Sequence, residues 1–483
     1  ADDVEFKPDK VYVVGRAPAD LKPVAGIATV SEGNIVSHVQ LLARNLGIPN
    51  AVVSPALLRE LESFSGSKVF YAVSPGGVVR MKPATSMTPA ETALVEERQR
   101  SEERILVPTE RLDLDALSLE NLYELRADDS GVICGPKAAN LGQLSSLFPG
   151  RVAPGFIVPF GVFRRHMDQT MPGTGGTYWQ FLEETFASAA QRRTSGDRED
   201  QVDDYVLERL ANLRSAIEAM PLHADFVAEV RARFSAIFGA PVGSAAVFVR
   251  SDTNMEDLKD FTGAGLNLTV PNVVSETDLL RAVRRVWASP YRERGYRWRQ
   301  KYLLNPEDVY PSLLILRSVN VDRSGVMITT GISSGNRSHA TIAFNRGVGG
   351  AVDGQAAESY LLTDAGPVLE SPAREPRYTV LPSSGGVERR ITSFNRRILS
   401  EDDLNALASL AQEIRQKLPG TPGIETQGPF DVELGFIGDE MRLFQTRPFV
   451  ENRAAASTLY LSAMDTRTTS RQSIQASDRV GRD

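Results

Sequence analysis

Cysteine is almost absent from this chain: Cys134 is one residue in 483. An internal disulfide framework is excluded, and the composition suits a reducing compartment. Long apolar runs are absent too. No stretch reaches the roughly eighteen apolar residues of a membrane-crossing helix, so no membrane span is expected. Basic charge is not in excess. Lys and Arg number 54 against 61 Asp and Glu, a net charge of −7, which argues against a general nucleic-acid binder. The opening ADDVEFKPDK lacks both a methionine and an apolar signal core. It reads as a processing boundary with sequence missing upstream, rather than as a secretory peptide. The expected location is cytoplasmic, or an organelle stroma if the organism is eukaryotic. What is present is ordinary for a globular chain, 42% hydrophobic and 24% charged residues, with length for about two to four domains.

The segment SEGNIVSHVQLLARNLGIPNAVV, residues 31–53, organises the first part of the chain. Ser37 is a good N-cap, and Val39, Leu42, Ala43 and Leu46 follow at the spacing of one apolar helix face. Gly47 and Pro49 then stop the helix. His38 falls in the first turn, where unpaired backbone N–H groups and the helix dipole favour an anion. An imidazole there is suited to accept a phosphoryl group. Taken alone, it reads more readily as a surface or capping histidine.

Around this segment, residues 10–83 alternate strand, turn and helix: VYVV, AGIATV and NAVVS read as strands, and KVFYAV with GGVVRM as a closing hairpin around residues 75–77. Residues 84–125 are charged and punctuated by Pro89 and Pro108, which suits a solvated connecting helix or hinge. Residues 171–178 and 194–203 read as loops.

The remaining chemistry lies between residues 131 and 450. GVICGPKAANLGQL reads as a strand, a glycine turn and a helix, with Lys137 at the helix start, where an ammonium beside backbone N–H groups can hold a polyphosphate. Taken alone, it reads more readily as a solvent-facing lysine after a turn, and the segment is not a G-x-x-x-x-G-K-[ST] loop. In AAVFVRSDTNMEDL an apolar strand over residues 245–249 delivers Arg250 and Ser251 at its end. FTGAGLNLTV supplies Gly263 and Gly265, a glycine-bearing turn able to fold over phosphates. Residues 281–300 carry seven arginines interleaved with Trp287, Tyr291, Tyr296 and Trp298. That spacing invites a nucleic-acid or polysaccharide reading, although Ala282, Val286 and Trp287 also form a core stripe. Finally, PFDVELGFIGDEMRLFQTRP reads as two antiparallel strands. Period two puts Asp431 and Glu433 on one face of the first, and Gln445 and Arg447 on one face of the second. Two carboxylates opposite an amide and a guanidinium suit a Mg²⁺–polyphosphate site or, equally, a surface ion-pair ladder.

VSHVQLLARNLGIPNAVV resembles the phosphohistidine motif of the phosphoenolpyruvate-utilising enzymes, with His38 on the phosphoryl-carrying histidine and Val36 where threonine is usual. GPKAANLGQL, VFVRSDTNMEDL, TGAGLNLTVPNV, SGVMIT with GVGGAVDG, and DVELGFIGDEMRLFQTRP stand in the order of the ATP-binding domain of the pyruvate phosphate dikinase and phosphoenolpyruvate synthase group. The domain order, histidine segment first and no barrel, is similar to that of the glucan and phosphoglucan water dikinases. One strand departs from the pattern: Leu316 and Ser318 stand in LILRSV where that group has glutamine and methionine near the adenine.

The resemblance implies an α/β (α+β) chain, a swivelling phosphohistidine domain (1–83) and hinge (84–125) followed by a two-lobed ATP-grasp domain (lobes 126–330 and 331–451) and a tail (452–483). It implies ATP and Mg²⁺ as cofactors and His38 as catalytic nucleophile. Lys137, Arg250, Gln445 and Arg447 are the expected phosphate contacts, Gly263 and Gly265 the covering loop, and Glu433 the main metal ligand with Asp431 in support. The expected activity is a dikinase that loads His38 from the β-phosphate of ATP, releasing AMP and phosphate. The expected partner is a small-molecule or carbohydrate acceptor, neither nucleic acid nor membrane, with further domains upstream. The rival readings are a phosphoenolpyruvate synthase whose barrel is on another chain, and a non-catalytic ATP-binding regulator.

Overall fold

The computed structural model describes residues 6–7, 9–15, 24–30, 43, 48–74, 78–100, 104–256, 258, 266–332, 334–351, 355–394, 396–449 and 458–465. His38, Gly263 and Gly265 lie outside the described residues, as does most of the helix expected around His38; Ala43 is helical and buried.

The N-terminal unit has three short parallel strands, β1 (Val11–Val14), β2 (Gly26–Thr29) and β3 (Asn50–Val52), with β2 in the centre. Helix α1 (Pro55–Glu62) begins where the Ser54 hydroxyl accepts from the Leu57 N–H and Pro55 occupies the first turn. A hairpin follows, β4 (Val69–Val73) and β5 (Val79–Pro83). The Tyr71 hydroxyl donates to the Ile27 carbonyl at 3.0 Å, tying the hairpin to β2. Helix α2 (Pro89–Arg100) starts at its proline, as the punctuation implies.

The segment read from sequence as a solvated connecting helix or hinge holds helix α2 and then a stretch that packs. From residue 104 it is bonded to the larger part of the chain: Ile105 pairs with Leu303, and Val107, Leu119, Leu122 and Leu125 are buried. Its apolar residues, sparse among the charges, are the ones that pack. Strand β6 (Glu120–Asn121) is an edge of the first large sheet, whose order is β6, β7 (Gly155–Val158), β10 (Pro311–Arg317), β8 (Val247–Thr253), β9 (Thr269–Val273), antiparallel throughout.

Strand β10 explains the shape. Leu313 and Ile315 point into one core, against helices α4 (Phe160–Met167), α5 (Tyr178–Thr194), α6 (Glu199–Ala219), α7 (Ala224–Phe238) and α8 (Glu276–Ala288). Leu314 and Leu316 point into another, against helix α3 (Pro136–Leu147). A strand covered on both faces reads as a continuous apolar run, which LLIL is. Helix α6 begins inside the stretch expected to be a loop. Its charges mislead: Glu199 and Asp200 occupy the first turn, where the helix dipole favours them.

The basic-aromatic stretch resolves into α8 and α9 (Glu293–Tyr302), with Trp287, Tyr291, Tyr296 and Trp298 all buried. Even Arg299 is buried, donating to the carbonyls of Pro306 and Pro290. The rings are therefore core and present no stacking platform.

The second large sheet runs β14 (Gly366–Ser371), β13 (Glu358–Thr363), β12 (Ala340–Arg346), β11 (Arg323–Ile328), β17 (Phe430–Ile437), β18 (Glu440–Pro448). A separate hairpin, β15 (Arg377–Val380) with β16 (Glu388–Ile391), lies between β14 and helix α10 (Glu401–Lys417) in the chain. The change of sheet falls between Arg317 and Arg323, several residues before the 330/331 division expected from sequence, because β11 is a central strand paired with β12 and β17. Helix α3 sits between the two sheets and shares a core with both and with α10.

Two long-range contacts return to the N-terminal unit. Val24, Ile27, Ala43 and Ile48 pack with Met255, Leu266, Trp298, Leu303 and Val309. The tail, expected to be small, polar and charged, helical and then frayed, contributes helix α11 (Leu459–Asp465), whose Met464 packs on Phe70 and Ala72 of the β4–β5 hairpin. Tyr460 donates to Glu91 of α2 and accepts from Arg80 at 2.6 Å, while Ser74 donates to Asp465.

Candidate functional site

The site lies where β8 of the first sheet faces the β17–β18 hairpin of the second. Arg250 is in the middle of β8 rather than at its end, because the strand is held on both sides, by Leu314 of β10 and Thr269 of β9, and continues to Thr253. Its guanidinium crosses to the other sheet. Nη2 donates to Gln445 Oε1 at 2.9 Å, Nη1 donates to the Phe444 carbonyl at 3.0 Å, and Glu433 Oε2 lies 3.9 Å from Nη2. The Phe444 carbonyl is available because the β17–β18 ladder slips between Glu433 and Leu434, leaving Phe444 as an extra residue.

The hairpin register is the one period two implies, Asp431 opposite Arg447 and Glu433 opposite Gln445. Arg447 donates from Nε to Asp431 Oδ2 at 2.8 Å, with Nη2 also 2.8 Å from that oxygen, and both side chains are buried. Glu433 and Gln445 thus meet Arg250, and the Asp431–Arg447 pair lies beside them at the next same-face position of the hairpin. Glu433 and Arg250 keep 12% and 14% of their side-chain surface, enough for both to meet a ligand in the cleft.

Lys137 reaches the same strand from α3. Its ammonium contacts Glu256 Oε2 at 2.7 Å and donates to the Ser251 carbonyl at 3.3 Å. The helix start itself is not the open anion site expected from sequence. Asp252, fully buried, accepts from the Gly135 N–H at 2.8 Å, the Lys137 N–H at 2.9 Å and the Ser312 hydroxyl at 2.9 Å. It takes the place of the phosphate at the helix N-terminus. Burial, and next the charge of Glu256, push its carboxyl up to about 6, against the pull of Lys137 and Ser312. Gly135 permits this approach, since a Cβ there would stand 2.5 Å from Asp252 Oδ1 and 2.7 Å from the Thr253 carbonyl.

Asp252 and Glu256 are the site residues that sequence reasoning missed. Asp252 was reachable, lying at period two from Arg250 on the same strand face. Glu256 was not, because it is placed by the turn over residues 254–256. Cys134 is buried beside this cluster, and burial pushes its thiol well above the ordinary value, leaving it inert. Among the described residues no cluster of three or more His, Cys, Asp or Glu is arranged to hold a metal, and no helix is long and apolar enough to cross a membrane.

Arg250, Glu433 and Gln445 thus meet where the two antiparallel sheets face each other, with Lys137 bonded to the strand that carries Arg250. The chain belongs to the family described as the pyruvate phosphate dikinase AMP/ATP-binding domain, which it matches over residues 132–466. It is 29% identical over 319 residues to a rifampicin phosphotransferase from Streptomyces, an alignment covering 65% of this chain and 34% of that protein. It is 27% identical over 335 residues to a probable phosphoenolpyruvate synthase from Methanothermobacter thermautotrophicus, covering 67% and 45%. A rifampicin phosphotransferase from Bacillus cereus is 25% identical, covering 65% and 34%. The chain therefore spans between a third and a half of the length of these curated relatives.

Proposed function

We propose that this chain is the ATP-using part of a phosphotransferase of the dikinase type. The two sheets act as the lobes of an ATP-grasp fold, with the polyphosphate between Lys137 and Arg250 on one side and Glu433, Gln445 and Arg447 on the other. The observation that carries the reading is the convergence of Arg250 with Glu433, Gln445 and the Phe444 carbonyl across the two sheets. The names of the relatives, phosphotransferase and phosphoenolpyruvate synthase, support transfer from ATP as the activity.

The reaction proposed forms a bond between a His38 imidazole nitrogen and the β-phosphorus and breaks the bond from that phosphorus to the α–β bridging oxygen, so AMP leaves. Water then cleaves the γ-phosphoryl group as orthophosphate, leaving phosphohistidine. The residues of the cleft hold the polyphosphate in line and offset its charge. Glu433 and Asp431 would hold Mg²⁺ through the hard carboxylate oxygens it prefers. When bound, the ion neutralises charge on the transferring group. Gly263 and Gly265 are proposed as part of the covering loop. The N-terminal unit, carrying His38, is proposed to swing between this site and the acceptor.

The test is product analysis. ³¹P spectroscopy of the protein with Mg²⁺-ATP should show AMP and orthophosphate in equal amounts, in quantities above the enzyme concentration only when an acceptor is supplied. Running pyruvate, an α-glucan and rifampicin in parallel distinguishes the acceptor classes. Formation of ADP as the product with every acceptor contradicts the dikinase reading.

A further inference from the structure

Lys137 and Glu256 form a buried pair with an unequal division of labour. The Glu256 carboxylate is almost wholly enclosed, and its second oxygen accepts from Asn267 Nδ2 at 2.9 Å. That bond also joins the two ends of the segment containing Gly263 and Gly265. The Lys137 side chain keeps 17% of its surface. An ammonium has three N–H donors. Among the described residues two of them meet acceptors, Glu256 Oε2 and the Ser251 carbonyl, on the protein side.

We infer that Glu256 is a positioning residue, which holds the Lys137 ammonium so that its third donor meets the outer phosphates of ATP and thereby sets the preference for ATP over AMP. This rests on the polyphosphate reading of the cleft. Two opposite effects have to be weighed. The Glu256 charge repels a polyphosphate, but its carboxylate is almost wholly enclosed while the ammonium keeps 17% of its surface, so the ammonium is the charge that a ligand can touch. Coulomb attraction falls with distance, so the contacting charge outweighs the enclosed one. Without Glu256 the ammonium, largely removed from water, loses the partner that offsets its desolvation, and it leaves the site. Its departure costs outer-phosphate affinity. AMP lacks those phosphates and is indifferent.

The experiment is isothermal titration of ATP and AMP, with Mg²⁺, into the wild-type chain, Glu256→Gln, Lys137→Met and the double variant, each checked by thermal melting. Glutamine keeps an acceptor for Asn267 and removes the charge together with the second acceptor oxygen, the one that meets Lys137. The wild type should prefer ATP, and Glu256→Gln should lower the ATP-to-AMP affinity ratio by about tenfold or more, as Lys137→Met does. The double variant should be no worse than Lys137→Met alone, because Glu256 acts through Lys137. An unchanged or higher ratio in Glu256→Gln, or losses that add in the double variant, overturns the inference while leaving the cleft assignment standing. Failure of the wild type to bind ATP overturns that assignment instead, and the inference with it. If Glu256→Gln does not fold, Asn267→Ala, which frees the same carboxylate from its other anchor, should lower the ratio severalfold; an unchanged ratio there is also a refutation.

Discussion

Replacing Asp252 by asparagine tests whether a protein carboxylate, rather than a ligand, owns the N-terminus of helix α3. The Asp252 carboxyl is fully buried, accepts three hydrogen bonds, and has its pKa raised from an ordinary 3.8 to about 6, chiefly by burial. A raised carboxyl pKa means the folded protein binds this proton more tightly than the unfolded chain does. The neutral acid's contribution is therefore fully present below about pH 4 and is lost as pH rises through 6. At 1.36 kcal/mol per pKa unit, the shift corresponds to about 2 to 3 kcal/mol between pH 4 and pH 7. Asparagine has no charge to bury, but it turns an N–H donor toward the Gly135 or Lys137 N–H, a mismatch costing about 1 to 3 kcal/mol at any pH. The variant should be clearly weaker than wild type at pH 4, and the difference should move in its favour by about 2 to 3 kcal/mol by pH 7, erasing or reversing the deficit. Urea denaturation of both proteins across this range, reported as the difference at each pH, removes contributions common to the two. A deficit independent of pH refutes the buried-carboxyl reasoning; a deficit that grows with pH shows that the ionised form is the better cap.

Three further outcomes follow from particular contacts. Burial lowers the His166 pKa to about 4; its Nδ1 donates to the Val162 carbonyl at 2.7 Å and its Nε2 accepts from the His223 N–H at 3.2 Å, so a second proton has no place. The stability due to the neutral ring should be lost as pH falls from about 6.5 to 4, by about 3 kcal/mol, and a phenylalanine variant should lack this acid-dependent component in urea titrations. Burial alone would raise the Glu91 carboxyl, but the bonds from Lys82, Thr88 and Tyr460 outweigh it and hold it at about 2. Its contribution is present above about pH 4.5 and lost on acidification toward 2, so hydrogen exchange over α11 should accelerate in that window and much less so in Glu91→Gln. Glu433→Gln should lower Mg²⁺-dependent ATP turnover by roughly 10²-fold with little change in melting temperature; full turnover at saturating Mg²⁺ would leave only an ion-pair ladder.

Much of the site could be read before the fold was seen, because it is written at period two. The DVEL and FQTR segments name their own faces, and the observed register sets Asp431 against Arg447 and Glu433 against Gln445. What could not be read depends on pairing between distant segments. Nothing local shows that β11 leaves the first sheet for the second, or that a polar tail carries Tyr460 and Met464 back to the N-terminal hairpin. Lys137 illustrates the middle case. Its place at a helix start was legible, yet the anion at that start is Asp252, supplied by a strand more than a hundred residues away.

β-Labelled ATP shows whether the proposed ATP site loads His38 with the β-phosphoryl group. Brief incubation of the wild type with the labelled nucleotide and Mg²⁺, followed by digestion and peptide mapping, should place acid-labile, base-stable label on His38, with AMP released in matching amount. His38→Ala should bind ATP as the wild type does and carry no label, and Arg250→Ala should lose the label through loss of binding. Label on any other residue, or label persisting in His38→Ala, contradicts the account.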